Sequence, residues 1–222
     1  MTTPTLDLST ELLLASGTQR EIYRHPTDPD KLVKVLREMP LTKGRARLAT
    51  LTERYFPRIR KRWARKEYQE YLRLMLGPWP GPIHPPITHM YGFVQTSLGL
   101  ACLSDAVLDG TDLGETLKAK TTGKTLSATD LALLNDTIER FYRYDIRAGD
   151  MTARNFVFGH RRIGGVQGPR ECVLVDGFGD IHAIPIRSWG RFFNRFGLDD
   201  SCKRLAQRTG LTWNATNRQF TL

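Results

Sequence analysis

Apolar and polar positions change rhythm several times along this chain. Leu12-Leu13-Leu14-Ala15, Glu21-Ile22-Tyr23-Arg24 and Leu32-Val33-Lys34-Val35-Leu36 are short apolar-rich runs. Between them lie turn signals, Ser16 to Arg20 and the proline- and aspartate-bearing His25 to Lys31. Runs of this length between such breakers predict three strands of a sheet. From about Arg58 to Leu76 the spacing becomes three and four residues. That predicts a helix, with Trp63, Tyr68, Tyr71, Leu72 and Met75 along one apolar stripe. Gly77-Pro78-Trp79-Pro80-Gly81-Pro82 ends it, since neither residue type continues a helix well. Ile87 to Thr96 and Leu98 to Leu103 then predict an antiparallel strand pair turning at Ser97.

Asp105 to Gly110 reads as a linker, dividing the chain into an N-terminal lobe of sheet plus helix, 1–107, and a mainly helical C-terminal lobe, 108–222. In the second half Ser127-x-x-Asp130 forms a capping-box pattern ahead of Leu131, Leu134, Ile138, Phe141 and Tyr142. Ile146 to Asn155 is a polar loop. Phe156-Val157-Phe158 and Cys172-Val173-Leu174-Val175 read as short strands with a glycine-rich connection. Two helices are expected near the end, Ser188–Phe196 and Asp199–Thr209. The fold class is therefore α+β.

Composition adds three constraints. An apolar share of 40% over 222 residues is enough for a packed core. Three widely spaced cysteines, Cys102, Cys172 and Cys202, form no ligand or disulfide pattern, and the start lacks the charged and apolar regions of a signal peptide. Both features lead us to expect a cytoplasmic protein without a membrane span. A net charge of +10 favours anionic partners, and much of it lies in residues 43–66. Tyr55, Phe56 and Trp63 stand between those charges, so this stretch is a candidate contact for lipid phosphates, nucleic acid or an acidic protein. A solvated helix face is the plainer account of the same residues.

Candidate chemistry comes from residue types in order. Asp150, with Asn155 five residues on, has the spacing of a phosphoryl-transfer loop, where the Asp orients an acceptor hydroxyl and the Asn offers oxygen to magnesium. The same two residues also serve in ordinary turns by bonding to their own backbone. Asp176, after the apolar strand and before Gly177-Phe178-Gly179, can reach a metal while the chain turns away. Lys34 lies amid apolar neighbours on a strand, where an ammonium can neutralise phosphate. Glu67, or Glu70 one turn later, could hold that lysine from the helix. Ser16-Gly17-Thr18 is a small-residue turn able to cover phosphates with backbone N–H groups. Asp105 and Val107 fall at the linker between the lobes and are candidate nucleotide contacts.

Strand lysine, helix glutamate, linker, loop Asp and Asn, and strand-end Asp occur together in the order of a protein-kinase-like fold. Leu14, Gly17, Arg20, Tyr23, His25 and Pro26, with Arg65, Glu67 and Tyr71, then Asn155, Asp176 and Gly179, and Ser188-Trp189 after Ile186, are similar to the PhoP regulatory network protein YrbL family of bacteria. The resemblance implies a minimal, atypical kinase-like fold with a truncated C-lobe. The family name records regulation rather than a reaction. Departures from ordinary protein kinases are visible. Ala148-Gly149 replaces His-Arg before Asp150, and only 46 residues follow Asp176. A protein substrate docked in the usual kinase manner is thus disfavoured. The expectation is an ATP- and magnesium-dependent phosphotransferase with an unknown small-molecule, lipid or protein acceptor. Catalysis would fall to Asp150, Lys34 and Glu67, nucleotide binding to Ser16, Gly17, Thr18, Lys34, Asp105 and Val107, and metal binding to Asn155 and Asp176. The alternatives are a pseudokinase-like regulator acting through a partner with little or no catalysis, and a nucleic-acid binder using the basic stretch.

Overall fold

A computed structural model describes residues 5–17, 20–37, 62–163, 165–180 and 185–222. They fall into two compact units. One is the described part of Met1–Arg65 together with His89–Ala106, and the other is Lys66–Thr88 with Val107–Leu222.

The first unit is a five-stranded antiparallel sheet of β1 (Leu13–Ser16), β2 (Arg20–Arg24), β3 (Lys31–Leu36), β4 (Met90–Thr96) and β5 (Gly99–Asp105), in the order β1-β2-β3-β5-β4. All five expected strands are present. The central strand is β3, and Lys34 pairs with Ile22 on one side and Cys102 on the other. Side chains alternate faces along a strand. Val33 and Val35 therefore join Leu8, Tyr23 and Ala101 in one apolar cluster, while Lys34 lies on the opposite face and is only 4% exposed. The turn between β2 and β3 is built on His25, whose Nδ1 accepts the N–H groups of Thr27 and Asp28 at 3.3 and 3.1 Å. Asp28 adds a 2.7 Å ion pair to Lys31.

Helix α1 (Arg62–Met75), described from Arg62 onward, belongs to the second unit from Lys66 on. Only part of the expected stripe faces inward, Tyr71 buried and Tyr68 half-buried. Trp63, Leu72 and Met75 are exposed, whereas Glu67, Glu70, Tyr71 and Leu74 are buried. Two carboxylates take inward positions because the second unit supplies hydrogen-bond donors for both, the N–H groups of Gly177 and Arg147. Trp79 closes the helix by donating Nε1–H to the Leu74 carbonyl at 2.6 Å and packing edge-on against Tyr144.

A four-stranded sheet follows, of β6 (Leu108–Asp109), β7 (Asp112–Leu113), β8 (Phe156–Ile163) and β9 (Val166–Leu174), ordered β7-β6-β8-β9. The presumed linker thus contributes a strand, since Leu108 pairs with His160. The expected glycine-rich connection is mostly strand as well. Helices α2 (Leu117–Thr122), α3 (Ala128–Arg143) and α4 (Arg191–Thr209) pack with this sheet and with a terminal hairpin, β10 (Thr212–Asn214) and β11 (Gln219–Thr221). The capping box of α3 forms, with Ser127 Oγ accepting Asp130 N–H at 3.0 Å and the Asp130 carboxylate accepting Ser127 N–H at 3.2 Å. Asn135 pins the hairpin by exchanging two hydrogen bonds with Phe220.

The two expected C-terminal helices are one. Ile186–Trp189 form a short 3-10 turn, and α4 runs unbroken through Gly197. A Cβ on Gly197 would lie 2.8 Å from the Arg187 guanidinium carbon. That glycine therefore makes room for a buried arginine rather than ending a helix. Among the described residues no helix is long and apolar enough to cross a membrane.

Candidate functional site

The second unit brings Glu67, Asp150, Asn155 and Asp176 into one hydrogen-bonded knot. The loop carrying Asp150 and the turn after β9 exchange backbone bonds. Gly149 N–H donates to Gly179 O at 3.1 Å, Asp150 N–H to Gly177 O at 3.0 Å, and Gly179 N–H to Arg147 O at 2.6 Å. Asn155 closes the loop on itself. Its Nδ2 donates to the Asp150 carbonyl at 3.1 Å, while its own carbonyl accepts Val175 N–H at 2.8 Å. Thr152 N–H also donates to the Asp150 carbonyl, at 3.0 Å. The Asp150 side chain itself is exposed.

Gly177 is the pivot. Its N–H points at two carboxylates, Glu67 Oε1 at 2.9 Å and Asp176 Oδ1 at 2.7 Å. It has φ of +81°, in the region that favours glycine, and a Cβ there would fall 2.4 Å from the Asp150 carbonyl oxygen. This explains, in physical terms, why glycine follows Asp176. The turn must reverse the chain and also let it touch the Asp150 loop.

Of the two helix glutamates, the structure gives them different work. Glu67 faces the Asp176-Gly177 turn. Glu70 is occupied by Arg73, at 2.9 and 2.6 Å, and by the backbone N–H of Arg147 at 2.9 Å. It braces α1 against the start of the Asp150 loop.

The residues here that could offer oxygen to a metal are Asp176, whose Oδ1 also accepts Gly177 N–H, and Asn155. Because Nδ2 of Asn155 is committed to the Asp150 carbonyl, its Oδ1 is oriented as an acceptor. One carboxylate plus one amide oxygen suits magnesium, which keeps waters and phosphate oxygens for its remaining positions.

The other candidates are placed as follows. Lys34, Ser16, Gly17 and Asp105 belong to the first unit. Ser16 and Gly17 are exposed at the end of β1, and Gly17 N–H donates to the Arg20 carbonyl at 2.9 Å. Thr18 and residues 43–61 of the basic stretch lie outside the described residues. Asp105 is buried and binds His89 through both its N–H, at 3.1 Å, and its Oδ1, at 2.9 Å. Val107, in the second unit, packs with Val157 and Val173, and its carbonyl accepts Gly114 N–H at 2.9 Å.

Sequence reading did not single out the cavity beside Asp150. It has a volume of about 870 Å³ and is lined by Asp150, Met151, Arg187 and the aromatic turns of α4 at Phe192, Phe193 and Phe196. The available signal was the aromatic run Trp189 to Phe196 in an otherwise polar stretch.

Searched against curated proteins, the chain has no significant match. Among solved structures it is similar to Rad53 residues 1–466 in complex with AMP-PNP, at 12% identity and a TM-score of 0.47, covering 87% of this chain and 45% of that one. It is also similar to a mutant kinase domain of PknI from Mycobacterium tuberculosis, at 14% identity and a TM-score of 0.45, covering 87% and 70%. This chain thus spans less than half of the Rad53 chain it matches. The family described as PhoP regulatory network protein YrbL matches residues 6–210, nearly the whole sequence, and the chain belongs to that family.

Proposed function

We propose that this YrbL-family protein is a kinase-like phosphotransferase that uses ATP with magnesium. The observation that carries the reading is the knot in which one glycine N–H is shared by Glu67 and Asp176 while its carbonyl binds the Asp150 loop. That arrangement brings a candidate base, a candidate metal carboxylate and an amide oxygen onto adjoining turns tied together by backbone hydrogen bonds. Positioning of this kind is most of what phosphoryl transfer asks of a protein.

In this reading the exposed Asp150 carboxylate accepts the proton of the acceptor hydroxyl. Asp176 and Asn155 hold magnesium, which when bound offsets charge on the nucleotide phosphates. Lys34 and the Ser16–Gly17 turn serve the phosphates, a role assigned from the sequence pattern. Glu67 fixes the Asp176 turn by accepting Gly177 N–H.

Thermal unfolding with ATP, with and without magnesium, tests this. Nucleotide at a hundredfold over its Kd adds ~2.7 kcal/mol of stability. For a chain of this length that raises Tm by roughly 5–11 °C. Asp176→Asn should lose the magnesium-dependent part of the shift. Asp150→Ala should keep the shift and lose turnover. Unchanged turnover in Asp176→Asn would remove its assigned role, and a full shift with no turnover in the native chain would favour a nucleotide-binding regulator.

A further inference from the structure

The cavity beside Asp150 has features that the transfer chemistry does not use. Phe192 and Phe196 are 74% and 73% exposed, on the first two turns of α4. Trp189, also exposed, packs edge-on against Phe193 at 5.9 Å between centroids. Large aromatic side chains left in water beside a concave surface mark a ligand or partner site. The helix that bears them is tied to the Asp150 loop, because Asn194 Nδ2 donates to Asp145 Oδ1 and the Ile146 carbonyl.

Farther along α4 the lining turns basic. Lys203 and Arg208 face the same cavity and have no ion-pair partner among the described residues. The neighbouring acids are already engaged, Asp200 by Arg204 and Asp199 by the Tyr142 hydroxyl at 2.7 Å. Arg187 is 5% exposed, and one guanidinium nitrogen bonds Gly197 O and Ser201 Oγ, both at 2.7 Å. Its other terminal nitrogen, Nη1, is buried without a hydrogen-bond partner among the described residues. Phe196 and Lys203 are seven residues apart, which is about 10 Å along a helix. The cavity therefore offers an aromatic wall at one end, cations without an ion-pair partner among the described residues about two turns away, and the carboxylates of Asp150, Asp199 and Asp200 in its lining.

We propose that this cavity is the acceptor subsite and that it takes a small hydroxyl-bearing amphiphile, with an apolar chain on the phenylalanines and an anionic group such as phosphate toward Lys203 and Arg208. The inference rests on the phosphotransferase reading for its chemistry and on the cavity for its specificity. A volume of about 870 Å³ suits a medium-chain monomeric lipid. In the step, the acceptor oxygen bonds to the γ-phosphorus of ATP. The bond from that phosphorus to the β–γ bridging oxygen breaks, and ADP leaves with the electron pair. The hydroxyl proton passes to the Asp150 carboxylate and from there to solvent.

Calorimetric titration of the full chain with octanoyl glycerol phosphate, octanoyl glycerol and glycerol phosphate tests the proposal. The first carries tail, hydroxyl and anion, and each of the others lacks one end. Octanoyl glycerol phosphate should bind at least tenfold more tightly than either. Phe192→Ser with Phe196→Ser should lose that gain over glycerol phosphate, and Lys203→Glu with Arg208→Glu the gain over octanoyl glycerol. All four side chains are exposed, so the variants should fold. Equal binding of glycerol phosphate, equal binding of octanoyl glycerol, or capture only by intact phosphatidylglycerol vesicles would each overturn the subsite. ATP turnover without amphiphile binding overturns the proposal and leaves the phosphotransferase reading in place. Amphiphile binding with no ATP turnover removes both that reading and the acceptor role, leaving a lipid-binding cavity.

Discussion

Replacing Gly177 by alanine strikes the knot at its tightest point. Two costs add. Backbone at φ +81° is left-handed, which costs a residue with a Cβ about 1–2 kcal/mol. The new methyl would also sit 2.4 Å from the Asp150 carbonyl oxygen, so backbone on one side must move. Overpacking of this kind costs about 1–3 kcal/mol. The sum is roughly 2–5 kcal/mol, or a fall in Tm of about 4–20 °C for a chain of this size. Gly165→Ala provides the control. It has the same φ of +81° with nothing within 4 Å of the new Cβ, so only the first cost applies. Tryptophan fluorescence during thermal and urea unfolding of both variants isolates the contact from the dihedral. If Gly177→Ala loses no more stability than Gly165→Ala, the close approach between the Asp176 turn and the Asp150 loop is not present in solution, and the site described above is wrong.

Other predictions concern the charges buried in the second unit. Asp130 is the hub of a cluster in which it accepts from Ser127, pairs with Arg170 at 2.7 Å and lies 3.2 Å from Lys120. Burial opposes its ionisation, but the Arg170, Ser127 and Lys120 hydrogen bonds outweigh that and lower its pKa to about 2. Because the folded value lies below the unfolded value of about 3.9, the stabilisation is complete above that pH and fades as pH falls toward 2. Asp130→Asn should therefore flatten the acid limb of a stability–pH curve between about pH 4 and 2, and lower stability at pH 7 by about 3–5 kcal/mol by leaving Lys120 less well paired. Arg161 is 3% exposed, forks onto Glu171 at 2.7 and 2.9 Å and bonds the carbonyls of Ile87 and Pro85. Arg161→Met should cost about 3–5 kcal/mol in urea unfolding, and a loss below 1 kcal/mol would show that this network does not anchor the 85–87 segment.

Much of the fold was legible in the order of the residues because local chemistry wrote it. Strands β1 to β5 follow from short apolar runs between turn formers, and His25, Pro26 and Asp28 build the turn that their types suggested. The Ser127–Asp130 pattern became a capping box because both partners lie within one helical turn. Local signals failed where a distant group decided. Two helices were expected with a break between Phe196 and Asp199, yet Gly197 lies inside one helix and leaves the space that Arg187 needs. The apolar stripe on α1 held at Tyr71 but not at Trp63, Leu72 and Met75, and Glu67 and Glu70 are buried because they find donors from Gly177 and Arg147, more than seventy residues away. The extra strand at Leu108 depends on His160 in the same way.

For the site, sequence alone supplied residue types and their order, Glu67, Asp150, Asn155 and Asp176, since these follow from spacing and neighbours. Only the folded chain determined which glutamate meets the Asp176 turn, that one glycine N–H serves two carboxylates, and that aromatic and basic turns of α4 share a cavity with Asp150. The physical reason is that hydrogen-bond direction and cavity shape arise between segments far apart in sequence. No single segment carries that information in its own composition.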